Sequence, residues 1–141
     1  MKVEELRIGN ILGFYRYDSE LDIKLPEYDF PQKVLKISKR VICCCGIKEN
    51  PNEITKFNYF KSYDIFGIPI SERWLFDLGF QKIGGYTYPV FHKKIDKISL
   101  NFELKDGELL FNSESKSLIG FKHVHQLQNI VFALTGKELK L

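Results

Sequence analysis

Three consecutive cysteines, Cys43-Cys44-Cys45, are the residues in this chain best suited to chemistry by type. In a strand, Cys43 and Cys45 face one side and Cys44 the other. Buried, they act as small hydrophobes. Cys43 and Cys45 share their i, i+2 spacing with His123 and His125, so the four could form a zinc site, although the Cys-x-x-Cys knuckle of structural zinc sites is absent. A reactive thiolate needs a neighbouring cation, which Arg40 or Lys48 could supply. Packing is the expected role, with no metal and no cofactor. His125 and Asn129 could orient a proton transfer, but no nucleophile is paired with them. Asp18, Glu20 and Asp22 alternate but lack the glycine of a calcium loop. No phosphate-binding glycine loop, nucleophile elbow or metalloprotease helix occurs. No catalytic residue is assigned, and the chain is expected not to be an enzyme.

Binding chemistry is better represented. Lys56-Phe57-Asn58-Tyr59-Phe60-Lys61-Ser62-Tyr63 interleaves aromatic rings with lysines, a mixture that stacks bases while holding phosphates. It also suits a half-buried strand or loop with solvated lysines. Tyr86, Tyr88, Phe91, His92, Lys93, Lys94 and Lys97 form a second basic-aromatic group, and Lys33, Lys36, Lys39 and Arg40 a third basic one. Asp18, Glu20, Asp22, Glu27 and Asp29 concentrate acid between residues 18 and 31 and are expected partner contacts; opposite charges on two regions suit a partner that is part protein and part nucleic acid. Phe132 stands among polar residues on its helix, either packed or an exposed anchor for a partner.

The net charge of +3 is too small to imply nucleic acid without a concentrated basic face. No run of about 18 apolar residues exists, so neither a transmembrane helix nor a membrane partner is expected. Met1–Arg7 has no apolar signal region, and adjacent cysteines suit a reducing compartment. The cytoplasm is the expected location.

The elements that position these residues are short. Ile11–Tyr15, Val34–Ile37 and Val41–Cys45 read as strands, and residues 18–31, with Pro26 and Pro31, as a long loop. Ile70–Phe80 reads as a helix capped by Ser71 and stopped at Gly79. Tyr86–His92, Ile98–Leu104 and Glu108–Phe111 read as three strands. Pro89 points to an edge position, and Asp106-Gly107 forms a tight hairpin turn. Leu118–Phe121 is a candidate further strand. In the C-terminal helix Val124, Leu127, Ile130, Val131 and Leu134 share an arc of about 120°, the expected core stripe. His125, Gln128, Asn129 and Phe132 lie on the other side.

Three segments carry a resemblance. Leu6-Arg7-Ile8-Gly9-Asn10, Pro69-Ile70-Ser71-Glu72-Arg73-Trp74-Leu75 with Leu78-Gly79-Phe80, and His125-Gln126-Leu127-Gln128-Asn129 with Phe132-Ala133-Leu134-Thr135-Gly136-Lys137-Glu138-Leu139 resemble a family of small, mostly uncharacterised proteins of Bacteroidetes genomes. These occur often in prophages and mobile elements. The resemblance implies no general activity, but its setting implies an accessory role such as inhibition of host defence.

The expected fold is α+β. A small β-rich, SH3-like part (residues 1–66, with the acidic loop 18–31) precedes a helix–three-stranded meander–helix part (67–141) on a shared core. The expected function is a non-enzymatic binding protein that inhibits a defence system, as anti-CRISPR proteins do, by binding a protein or protein–RNA complex such as a CRISPR nuclease. Direct RNA or DNA binding is the alternative, and a small-ligand sponge a further one.

Overall fold

The computed structural model describes residues 3–38, 41–47, 57–84, 87–112, 118–139 and 141. Among the described residues the fold is mixed: two five-stranded antiparallel sheets and two short helices. The chain divides into two compact units, Met1–Ile68 and Pro69–Leu141.

The first unit opens with a 3-10 turn, Val3–Glu5, and a tight turn built on the Leu6–Asn10 motif. Asn10 is buried, and its side-chain oxygen accepts from the Arg7 amide at 2.7 Å. The Gly9 amide then donates to Val34 and the Val34 amide to Asn10, which delivers the chain into the sheet. The strands are β1 (Ile11–Asp18), β2 (Ile23–Ile37), β3 (Ile42–Gly46), β4 (Asn58–Phe60) and β5 (Ile65–Phe66). Their order is β4-β3-β2-β1-β5. Leu6, Leu12, Val34, Ile42, Cys44 and Ile65 form the core on one face, with Phe14, Ile37 and Phe60 packed against them.

Residues 18–31 are not the expected loop. Most of them belong to β2, which pairs with β1 from Asp18↔Ile23 to Ile11↔Lys33. Pro26 is tolerated for a definite reason. Its partner Tyr15 donates its amide away from β2, to the Asp64 carbonyl at 2.8 Å. Tyr15 and Pro26 are therefore a non-hydrogen-bonded pair, and the amide that proline lacks would face away from β1. On that side β3 pairs with β2 only from Gln32 onward. Between Leu12 and Phe14 the register shifts, and Tyr28–Pro31 bulge opposite Gly13.

In the second unit α1 (Glu72–Asp77) forms where its caps dictate. Ser71 accepts from the Trp74 amide, and the Phe80 amide returns to the Leu75 carbonyl at 2.9 Å across Gly79, whose φ is +77°. Ile70 and Leu75 are both buried beside it.

The strands β6 (Gln81–Gly84), β7 (Val90–Ile95), β8 (Ile98–Lys105), β9 (Glu108–Asn112) and β10 (Leu118–Phe121) pair in the order β10-β9-β8-β7-β6. Among the described residues the sheet thus has five strands: the three of the expected meander, the candidate strand Leu118–Phe121, and β6. Moreover, β7 begins after Pro89 and lies between β6 and β8, so the expected edge position is corrected: the proline precedes the ladder instead of sitting at its rim. Asp106 and Gly107 both take positive φ in the turn between β8 and β9. Phe91, Leu100, Phe102 and Leu109 are buried on one face of the sheet.

The closing helix α2 (Val124–Thr135) buries a face rotated from the expected stripe by roughly 80°, at about 100° per residue. Val124, Leu127 and Val131 are buried as expected, but so are His125 and Gln128, whereas Leu134 is 41% exposed and Ile130 half-buried. The cause is the chain after the helix. Leu139 is buried, and its carbonyl accepts from the Gln128 side-chain amide at 3.5 Å, so the C-terminal segment covers the side that looks polar in sequence. Phe132 falls on this rotated side and is half-buried.

Candidate binding surfaces of the first unit

The β1–β2 hairpin outruns its neighbours. The strand β5 reaches β1 only at Gly13 and Phe14, and β3 reaches β2 only from Gln32. Residues 16–18 and 23–25 therefore pair only with one another, as a two-stranded arm. None of the arm's residues is buried: Tyr17 is 57% exposed, Leu21 61% and Ile23 45%.

The arm's turn is built by its acids. Asp18 accepts the amides of Glu20 and Leu21 at 3.0 and 3.2 Å. Asp22 adopts a positive φ of 53° and accepts the Tyr17 hydroxyl, a hydrogen bond that raises the Tyr17 pKa. At the arm's base Lys24 bonds Asp64 at 2.5 Å and lies 4.8 Å from the Tyr63 ring centre. Lys61 approaches the same ring at 5.5 Å, and its hydrogen bond to Tyr63 raises its pKa.

The face of the sheet away from the core carries a different set. Registered pairs share a face, so Tyr59, Cys43 and Lys36 form one row, and Cys45, Lys33 and Ile11 the next. Beyond these, Phe66 pairs with Gly13. The Phe66 ring packs against Tyr15 and Tyr28, with centres 4.9 and 5.0 Å apart. Tyr15, Tyr28, Tyr59, Lys33 and Lys36 are exposed. The strands thus bring Lys36 and Tyr59 together, while Phe57 lies exposed just before β4 and Lys61 at the following turn.

The remaining expected contacts are dispersed. Glu27 is half-buried and pairs with Phe14, and Asp29 lies on β2. Lys39, Arg40, Lys56 and Tyr86 lie outside the described residues. In the second unit Tyr88 lies beneath the Lys105 ammonium at 4.9 Å, and His92 Nδ1 is 2.8 Å from Asn101 Oδ1. Lys94 and Lys97 are exposed. Lys93 points to the core side of its sheet, where its ammonium donates to the Leu78 carbonyl at the end of α1 and burial lowers its pKa. Its charge serves the helix terminus.

Tyr15, Tyr17, Leu21, Ile23 and Tyr28, all exposed, and Phe66, which packs between two of these rings, did not stand out in the sequence. The signal was the period-two spacing of Tyr15 and Tyr17, and of Lys24, Pro26 and Tyr28, which two prolines obscured.

The cysteines are free thiols. Cys44 lies in the core, where burial, with Cys43 and Cys45 beside it, pushes its pKa up to about 12. This is the opposite of a reactive thiolate. Among the described residues no group of three or more His, Cys, Asp or Glu side chains is placed to hold a metal ion, and no helix is long and apolar enough to cross a membrane.

The three motifs that carry the family resemblance supply turns, caps and core. Asn10 sets the first turn, Ser71 caps α1, and Gln126 accepts the Lys122 and His123 amides at 3.0 and 3.2 Å to start α2. No protein-family model, curated protein or solved structure matches the chain significantly.

Proposed function

We propose that the protein is a non-enzymatic binding protein of phage or mobile-element type. It inhibits a host defence system by binding a protein, or a protein–RNA complex such as a CRISPR nuclease, in the cytoplasm. The observation that carries the binding reading is the arm. Tyr17, Leu21 and Ile23 are all exposed on a ribbon with no buried residue, Tyr17 on the face it shares with Lys24, Ile23 on the opposite face with Asp18, and Leu21 in the turn between them. An isolated two-stranded hairpin is marginal in water, and one that exposes apolar side chains on both faces and at its tip gains most from a partner that covers it. Asp18, Glu20 and Asp22 around them favour a basic partner face. The resemblance to mobile-element proteins supports the anti-defence role. The strand order β5-β1-β2-β3-β4 supports an SH3-like reading of the first unit, and the order helix, sheet, helix a helix–meander–helix reading of the second.

Affinity purification from the native host, with and without nuclease, tests this. A protein retained after nuclease treatment by the wild type, and lost with Leu21→Asp, supports it. Recovery of nuclease-sensitive nucleic acid alone contradicts it.

A further inference from the structure

We propose that the open face of the first sheet is a platform for single-stranded nucleic acid, distinct from the protein contact of the arm. Tyr59 at the β4 side and the Tyr15–Phe66–Tyr28 cluster at the β5 side stack bases. Lys33 and Lys36, between them, bind phosphates.

Four observations support the assignment. First, the aromatic cluster is preorganised: Tyr15 and Tyr28 tilt against the Phe66 ring at 52° and 69°, and both remain exposed. Rings held this way stack on a base without first losing rotamer freedom. Second, the lysines lie between the two aromatic positions, above a floor of Ile11, Cys43 and Cys45. Ile11 and Cys45 are themselves buried, so the accessible part of the face is the exposed Lys33, Lys36, Tyr59, Tyr15 and Tyr28. Third, the charge is of one sign. The registered residues of this face between β4 and Gly13 are Tyr59, Cys43, Lys36, Cys45, Lys33 and Ile11, with no carboxylate among them. Asp64 and Asp22 lie toward the arm, engaged by Lys24 and Tyr17. Fourth, β4 and β1 are separated by three strand spacings, about 14 Å in all, which is the reach of a few nucleotides.

Two comparisons fix the class of ligand. Lysine is depleted from protein–protein interface cores, whereas lysines interleaved with aromatics suit a single strand. A duplex keeps its base faces stacked inside, out of reach of these rings.

Fluorescence anisotropy on the full chain tests the proposal. The probes are a labelled oligothymidine, an oligouridine of equal length and a duplex. The wild type is expected to bind either single strand in preference to the duplex, with a salt slope of about −1.4, from two phosphates at about −0.7 each. Tyr28→Ala and Tyr59→Ala each weaken binding by about tenfold and leave the slope unchanged. Lys33→Gln and Lys36→Gln each reduce the slope by about 0.7. Tyr59, Lys33 and Lys36 are exposed, so thermal melting of their variants is expected to stay that of the wild type, whereas Tyr28→Ala, which loses its contact with Phe66, should melt slightly lower but remain folded at the assay temperature. Leu21→Asp, in the arm, leaves oligonucleotide affinity intact, so failure of the arm reading and failure of this one are separable. Absence of saturable single-strand binding, equal affinity for the duplex, or wild-type affinity in both tyrosine variants would overturn the proposal.

Discussion

The ring of Phe66 occupies the space that a side chain at position 13 would need. A Cβ built on Gly13 stands 2.4 Å from the ring Cζ. Glycine in mid-strand is therefore a packing device here: it lets Phe66 lie flat on β1 and hold Tyr15 and Tyr28 at its edges. Gly13→Ala is expected to push the ring away, at a cost of about 1–3 kcal/mol in urea unfolding. Adding Phe66→Leu to that variant should recover part of the loss. An unchanged midpoint in Gly13→Ala would show that the ring is free to move.

Gln126 governs the start of α2, because its side-chain oxygen accepts two backbone amides that otherwise lack a helical partner. Gln126→Ala should lower stability by about 1 kcal/mol, and Gln126→Glu, which keeps the acceptor, by much less. Thermal melting of the three proteins checks the order.

Cys44 gives the chain an alkaline limit. Its folded pKa is about 12 against the ordinary 9.0, so the unfolded thiol ionises first as pH rises. The stability this linkage represents is complete below about pH 9 and is lost progressively between pH 9 and 12. Cys44→Ala should therefore lose less stability than the wild type across that window, as urea melts at stepped pH will show. At pH 8, iodoacetamide should alkylate the half-buried Cys43 well before Cys44. Equal labelling, read by mass spectrometry, would contradict the core placement of Cys44.

The sequence was most legible where one residue type has one job. Ser71, Gly79 and Asp106-Gly107 marked ends and turns because their preferences are local. It was least legible where distant chain decides. Pro26 and Pro31 suggested a loop, yet Pro26 sits where the missing amide would face away from β1. His125 and Gln128 looked solvent-facing until Leu139, eleven residues beyond Gln128, folded over that side of the helix. The same applies to the candidate surfaces. Lys36 and Tyr59 stand out by composition, but their alignment through Cys43 depends on a bulge in β2 between Val34 and Lys36. Phe66 joins Tyr15 and Tyr28 only through pairing across some 50 residues of chain.

The arm decides the account. The double variant Leu21→Asp/Ile23→Asp alters two exposed side chains, so its melting temperature should match the wild type. The most direct measurement is phage plating on a Bacteroidetes host with an active defence system that expresses either protein. The wild type is expected to raise plating efficiency, and the double variant to lose that effect while remaining folded and equally abundant. Equal protection of the phage by both proteins would contradict a function that works through the arm.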